Sequence, residues 1–312
     1  TLVIRSNTAL GASATSALTM AGGTELLLGH DVSIANNITL AGAATIGFAP
    51  LEVEYLIVGG GGGTGGGQSN VSYDAPGGGG DVATGFSDLS ETSATVIVGA
   101  AGSRLGTEPR GGTSSFLGIS ALGGWRGGLD VNGNLLAGRG GASGSGKTGG
   151  TKNGVASGGA GGHVAAGSNA PDSTTGGAGG SGLSSAITGS TVMYGFGGGG
   201  RDGDTWGLSG DGVTGKNNAP ANTGAGAPAS YNAAAGIVVV RYAGSVAGAT
   251  GGTITDFQGN DTIGENGVTY QVHSFTDVGA STFELDLSAA ISGNISGTQN
   301  LTLASDLGTL TL

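Results

Sequence analysis

The sequence predicts an all-β protein: a strand-rich scaffold, β-sandwich or short β-solenoid, that carries a glycine-rich domain of packed polyproline-II strands, with essentially no α-helix. Three observations lead there. Glycine supplies 73 of the 312 residues and charged residues only 10%, against roughly 7% and 25% in an ordinary domain. Each Gly costs about 1 kcal/mol relative to Ala inside a helix, so helices have little to build on. The apolar residues come in short, often β-branched runs with period-two alternation, the pattern of half-buried strands.

Residues 1–50 are the N-terminal part of the scaffold. Thr1-Leu2-Val3-Ile4, Thr24-Glu25-Leu26-Leu27-Leu28, Val32-Ser33-Ile34, Asn37-Ile38-Thr39-Leu40 and Ala44-Thr45-Ile46-Gly47-Phe48 read as successive strands. Their spacing suits a sandwich or the coils of a solenoid. Residues 51–242 form the glycine-rich domain, bracketed by Val53–Val58 and Gly236–Tyr242. Positions 59–236 hold 56 of the 73 glycines. Residues 243–312 return to strands as the C-terminal scaffold and connector, with an Asn266-Gly267 hairpin signal.

A domain this rich in Gly has few side chains to bury, and Gly loses the most backbone entropy on folding. It either stays a disordered linker or packs backbone against backbone. In the second case polyproline-II strands, which have no internal hydrogen bonds, satisfy one another. The recurring anchors Phe116, Trp125, Tyr194, Phe196 and Trp206 favour the packed sheaf, as does a mean hydropathy of +0.13. Glycine runs without a strict triplet exclude collagen.

The net charge of −11 includes no basic stripe, which argues against nucleic acid as a partner. The absence of cysteine removes disulfides and thiolate metal sites. No apolar run approaches the roughly 20 residues of a membrane span. The chain opens on strand sequence without a signal peptide, so a processed product or a unit of something longer is expected.

The succession Val53-Glu54-Tyr55-Leu56-Ile57-Val58-Gly59, Ala94-Thr95-Val96-Ile97-Val98-Gly99, Gly111-Gly112-Thr113-Ser114-Ser115-Phe116, Gly195-Phe196-Gly197 and Gly236-Ile237-Val238-Val239-Val240-Arg241-Tyr242 resembles the glycine-rich domain of phage tail-fibre proteins and large bacterial surface proteins. Ala249–Thr255 and Tyr270-Gln271-Val272-His273-Ser274-Phe275-Thr276 are similar to the linker that joins such domains in tandem. The likeness covers about residues 51–285. Asn37–Gly42 and Ile291–Ile295, outside it, resemble autotransporter-type β-solenoid coils.

Several motifs carry chemistry elsewhere. Gly141–Thr148 matches the phosphate loop to the letter, but Gly149-Gly150 follows it where a helix N-terminus is required. Gly197-Gly198-Gly199-Gly200-Arg201-Asp202 starts like a calcium nonapeptide, yet the similar Gly259–Gly264 lies some 60 residues away and no tandem array exists. Calcium is thus the single cofactor hint, and no cofactor is expected. His30, His163 and His273 are scattered, with no catalytic or metal role expected, and no GxSxG elbow lies between a strand and a helix. Asn37, Asn70, Asn260, Asn294 and Asn300 begin sequons, which matter where the host glycosylates.

The expected function is non-enzymatic: an extracellular structural or adhesive unit that assembles end to end into a surface fibre or sheath. The expected partner is a second copy, making a homo-oligomer or polymer. Thr1, Leu2, Val3 and Ile4, and Thr309, Leu310, Thr311 and Leu312, are the expected subunit contacts, because strand sequence at both ends invites edge pairing. The alternative is a phage tail-fibre adhesin on the virion surface that binds a cell-surface receptor or glycan. Its receptor loop would hold Asp202, Asp204, Trp206 and Tyr231. Ice binding is a more distant third.

Overall fold

The computed structural model describes the chain apart from residues 6–9, 11–16, 30–31, 66–74, 104–109, 129–142, 145, 154–155, 203–204, 213–216, 245–247, 261–265, 305–307 and 312. Among the described residues every regular element is a strand.

Both ends of the chain build one coil from three parallel sheets. The first holds Leu2–Ile4, Thr24–Leu28, Ala44–Phe48 and Leu301–Ala304 in that order. The second holds Ala17–Met20, Asn37–Leu40 and Ile295–Ser296, and the third Val32–Ile34, Leu287–Ile291 and Gly308–Thr311. Successive turns match residues 20 apart in Leu26↔Ile46 and Leu18↔Ile38, 21 in Ala289↔Leu310 and 24 in Leu2↔Leu26. One turn is interrupted. Ile34↔Ile291, Ile38↔Ile295 and Ala44↔Leu301 each span 257 residues. The offset is the same in all three sheets, so a single insertion leaves after Phe48 and returns at Leu287. Period-two alternation explains the coil interior: Ile4, Leu26, Leu28, Ile38, Ile46, Ile34 and Leu287 point inward and are buried.

The insertion begins and ends as a pair of stacked antiparallel sheets. The central sheet runs Thr253–Asn260, Asn266–Phe275, Ile237–Ala243, Leu51–Val58, Val82–Leu89. The second runs Ile119–Ala121, Ser114–Phe116, Ser93–Val98, Gly279–Glu284. Val53, Tyr55, Ile57, Val238, Val240 and Tyr242 pack against Val96, Val98, Phe116 and Phe283, in a core continuous with that of the coil. The two bracketing strands pair directly, Ile57↔Val238. Strands 266–275 and 279–284, which composition groups with the C-terminal connector, hydrogen-bond into these sheets. The opposite face of the central sheet, Leu56, Val58 and Val239, is covered by Ile187 and Tyr194.

Beyond the sheets lies the glycine sheaf. Its segments are extended and buried without being ladder strands. Their amides bond to several neighbours in turn. Gly59, Gly62 and Gly65 donate to Asp81, Gly78 and Ala75; between them, Gly60 donates to Gly112 and Gly61 to Ala234. Gly77 and Gly80 reach Ala227 and Gly224, while Gly78 and Asp81 reach Trp125 and Leu122. The same neighbour returns every third residue, the period of polyproline II. Each segment thus sits among several others, and its buried backbone groups are paired as burial demands.

Candidate functional site

The residues expected at subunit contacts lie on edge strands at opposite ends of the coil. Leu2–Ile4 closes one end of the first sheet and Leu301–Ala304 the other, while Gly308–Thr311 is the far edge of the third. Thr1 donates its hydroxyl to Glu25 Oε2 at 2.8 Å. Leu2 and Val3 are 43% and 44% exposed, whereas Ile4 is buried. Leu310 packs against the core. Leu312 lies outside the described residues.

The expected receptor loop comes together in part. Arg201–Asp202 pairs antiparallel with Thr205–Trp206, which places the Arg201 guanidinium 5.2 Å from the Trp206 ring. Arg201 also donates to Ser230 Oγ, and the indole N–H reaches Ala229 O at 3.4 Å. Tyr231 follows, half-buried, its amide donating to Pro228 O. Ser230 holds φ at 72°, an uncommon value for a residue with a side chain. Trp206 is therefore pinned on two sides, as a structural peg would be. Asp204 lies outside the described residues. A second pair repeats the device: Arg110 bridges to Trp125 and sits 4.4 Å from its ring. Such pairs contribute about 0.5–1 kcal/mol when exposed and more when desolvated. Sequence reasoning singled out the tryptophans and missed their arginines. An Arg five positions before Trp206 was the available signal.

At the junction of coil and sheets lies a cleft of about 470 Å³ lined by Arg5, Glu52, Glu54, Phe86, Arg241 and Tyr270, among others. Two of its charges meet there: Arg241 pairs with Glu54 and stacks 4.5 Å over Tyr270. Among the described residues no three His, Asp or Glu side chains are grouped to hold a metal. The calcium-like Gly197–Gly200 run is sheaf, bonded to Gly180 and Gly177. In the phosphate-loop match, Gly144 donates to Gly79 O, and Gly150 to Gly159 O where a helix would start. Asn37 of the first sequon accepts the Asn294 amide at 3.0 Å, a rung-to-rung contact within the coil.

His163 lies 2.8 Å from Asp81, and His30 is outside the described residues. His273 has a structural task. Its Nδ1 donates to Gly251 O at 2.8 Å, which leaves Nε2 to meet the Tyr242 hydroxyl at 2.9 Å; that hydroxyl also contacts the Gln271 carboxamide. Gly251, at φ 105°, and Gly252, at φ 65°, make the turn that His273 secures. Burial pushes the His273 imidazole below its ordinary value of 6.5, outweighing the Gly251 bond and the Asp256 charge that act the other way. A depressed folded value means the unfolded chain binds the proton more readily. The stability from neutral His273 is therefore complete above about pH 6.5 and is lost as pH falls through the lower folded value. Melting temperature should drop between about pH 7 and pH 5, and His273→Gln should flatten that slope. Parallel slopes in the two proteins would remove His273 from the account.

Fold and surfaces together define an all-β protein in which a backbone-packed glycine sheaf is inserted into a parallel coil. A family model described as a glycine-rich domain matches residues 38–257. The chain belongs to this glycine-rich domain family. No curated protein and no solved structure matches it significantly.

Proposed function

We propose that the protein is a non-enzymatic structural and adhesive unit of a cell or virion surface. The coil is a short β-solenoid, and copies join end to end through its edge strands into a fibre or sheath. One observation carries this reading. The inner column Leu2, Leu26, Ile46, Leu303 is closed in the middle and open at both ends: Leu26 and Ile46 are 1% and 0% exposed, Leu2 and Leu303 each 43%. The glycine sheaf, with few side chains and a saturated backbone, would be a stiff appendage carried at intervals along the fibre.

A second reading, a phage tail-fibre adhesin, is favoured by Leu208, exposed beside Trp206, and by the half-buried Tyr231. A receptor or glycan would meet that surface. Electron microscopy of the native material, with sedimentation of the purified chain, tests the first reading. Polymers are the expected result. Isolated tail tips, and a chain that stays monomeric at all concentrations, would overturn it in favour of the second.

A further inference from the structure

We propose, resting on the end-to-end reading above, that copies stack head to tail with all strands parallel. The Leu301–Ala304 edge of one copy receives the Leu2–Ile4 edge of the next, with Leu303 opposite Leu2. The register follows from the coil itself. Leu2 faces Leu26, Leu26 faces Ile46 and Ile46 faces Leu303 across three successive parallel pairings. A fourth step in the same column brings Leu303 of one copy onto Leu2 of another. Within this sheet it repeats the rung-on-rung packing that the coil already makes within itself.

Three further observations favour a second copy as the occupant. The first is shape and polarity. Each internal pairing of the coil is parallel, so a strand added in the same sense at either edge continues the same ladder. Joining like edges instead would break the inner column and close the assembly at a dimer. Joining unlike edges is heterologous and propagates, which is what builds a filament.

The second is the lack of protection. Exposed edges in natural sheets are blunted by Lys, Pro or inward charges. Leu2–Ile4 and Leu301–Ala304 hold none of these, and within residues 1–48 and 287–312 only Arg5, Glu25, Asp31 and Asp306 carry formal charge. The acidic bulk of the protein lies in the insertion, away from the surfaces that would meet.

The third is apolar content. Leu2 and Val3 at one edge, and Leu303 at the other, are among the most exposed large hydrophobic side chains described. Burial of Leu2 against Leu303 removes from water the same kind of surface that Leu26 and Ile46 bury inside.

The chain has no cysteine, so thiols report this contact without background. Val3 lies in the column that runs through Leu27 and Gly47 to Ala304, so the proposal sets Val3 against Ala304 of the neighbouring copy. Val3→Cys/Ala304→Cys, treated with a short bis-maleimide in the full chain, should give a denaturant-resistant ladder of oligomers. Val3→Cys alone and Ala304→Cys alone should stay monomeric on the same gel. Leu303→Lys, at an exposed site that leaves the fold intact by circular dichroism, should abolish both the ladder and sedimentation of the otherwise native chain. Cross-linked dimers from either single variant would overturn the head-to-tail polarity while leaving end-to-end assembly standing. A sedimenting wild type with no ladder from the double variant would overturn this register alone. A wild type that never sediments would overturn the assembly reading and this inference together.

Discussion

Gly77→Ala is expected to unfold the glycine-rich domain at room temperature or bring it to the brink. A Cβ at Gly77 would lie 1.8 Å from Gly62 O and 2.4 Å from Gly62 C, where real contacts stay beyond 3.0 Å. Nothing flexible can give way, because the obstacle is backbone and that backbone is tied. Gly62 O accepts the Ala227 amide, Gly77 N–H donates to Ala227 O, and Gly62 N–H donates to Gly78 O, all at 2.8–2.9 Å. Three segments would have to separate to admit one methyl group. Overpacking a tight core costs about 1–3 kcal/mol, sometimes more, and each buried amide left without a partner adds about 1–3 kcal/mol. Against a total stability of about 5–15 kcal/mol that is most of what exists. Gly61→Ala, with its Cβ 1.9 Å from Ala225 O, should behave alike. Gly22→Ala is the control: its Cβ would rest 3.6 Å from Gly42 Cα, an ordinary contact. Urea denaturation measures all three. A midpoint for Gly77→Ala equal to that of Gly22→Ala would mean the sheaf is not backbone-packed.

Why glycine is concentrated between two strong strands becomes a matter of geometry. Segments this close leave no room for a Cβ, and the composition of residues 59–236 reflects that closeness. The bracketing strands were legible for the ordinary reason, since runs such as Val238-Val239-Val240 are β-branched and buried on both faces. The coil was harder. Runs of three to five alternating residues look the same in a hairpin sandwich and in a parallel coil, and what separates them is the match between turns 20 to 24 residues apart. In all three sheets one rung pairs with a neighbour 257 residues further on, so the repeat is split by the insertion and no local window contains it. Glycine content does not say which sheet strands 266–275 and 279–284 join; their pairing with the sheets of the insertion is a matter of contacts across folded distance.

The site was legible to a different degree. Side chains at strand ends can be placed on edges from pattern alone, and Leu2–Ile4 and Gly308–Thr311 do lie there. The Arg201–Trp206 and Arg110–Trp125 pairs, and the His273 group, depend on contacts across folded distance. His273 meets Tyr242 and Gly251, 31 and 22 positions away, and nothing in its neighbours by sequence signals a buried, neutral imidazole.

Phe283→Ala should cost about 3–5 kcal/mol, the usual range for removing a fully buried Phe. Phe283 is the hinge pin between the stacked sheets. It extends from the strand paired with Ser93–Val98 and meets Phe116 edge-on at 6.3 Å, Tyr242 at 6.5 Å and His273 at 4.9 Å. Two of these partners, Tyr242 and His273, belong to the central sheet, so the ring holds one sheet to the other. Its loss leaves a cavity bounded by rigid ladders on both sides, which cannot collapse to fill it. The same change reaches the titration of His273. With the ring gone, water gains access to the imidazole, the burial that depresses its proton affinity weakens, and the acid-side loss of stability becomes shallower. Urea unfolding across a pH series reads both effects at once. A loss below about 1 kcal/mol, within reach of ordinary surface substitutions, would mean the two sheets are held together elsewhere. A large loss with an unchanged pH slope would mean that the backbone around Gly251, rather than the aromatic ring, keeps His273 dry.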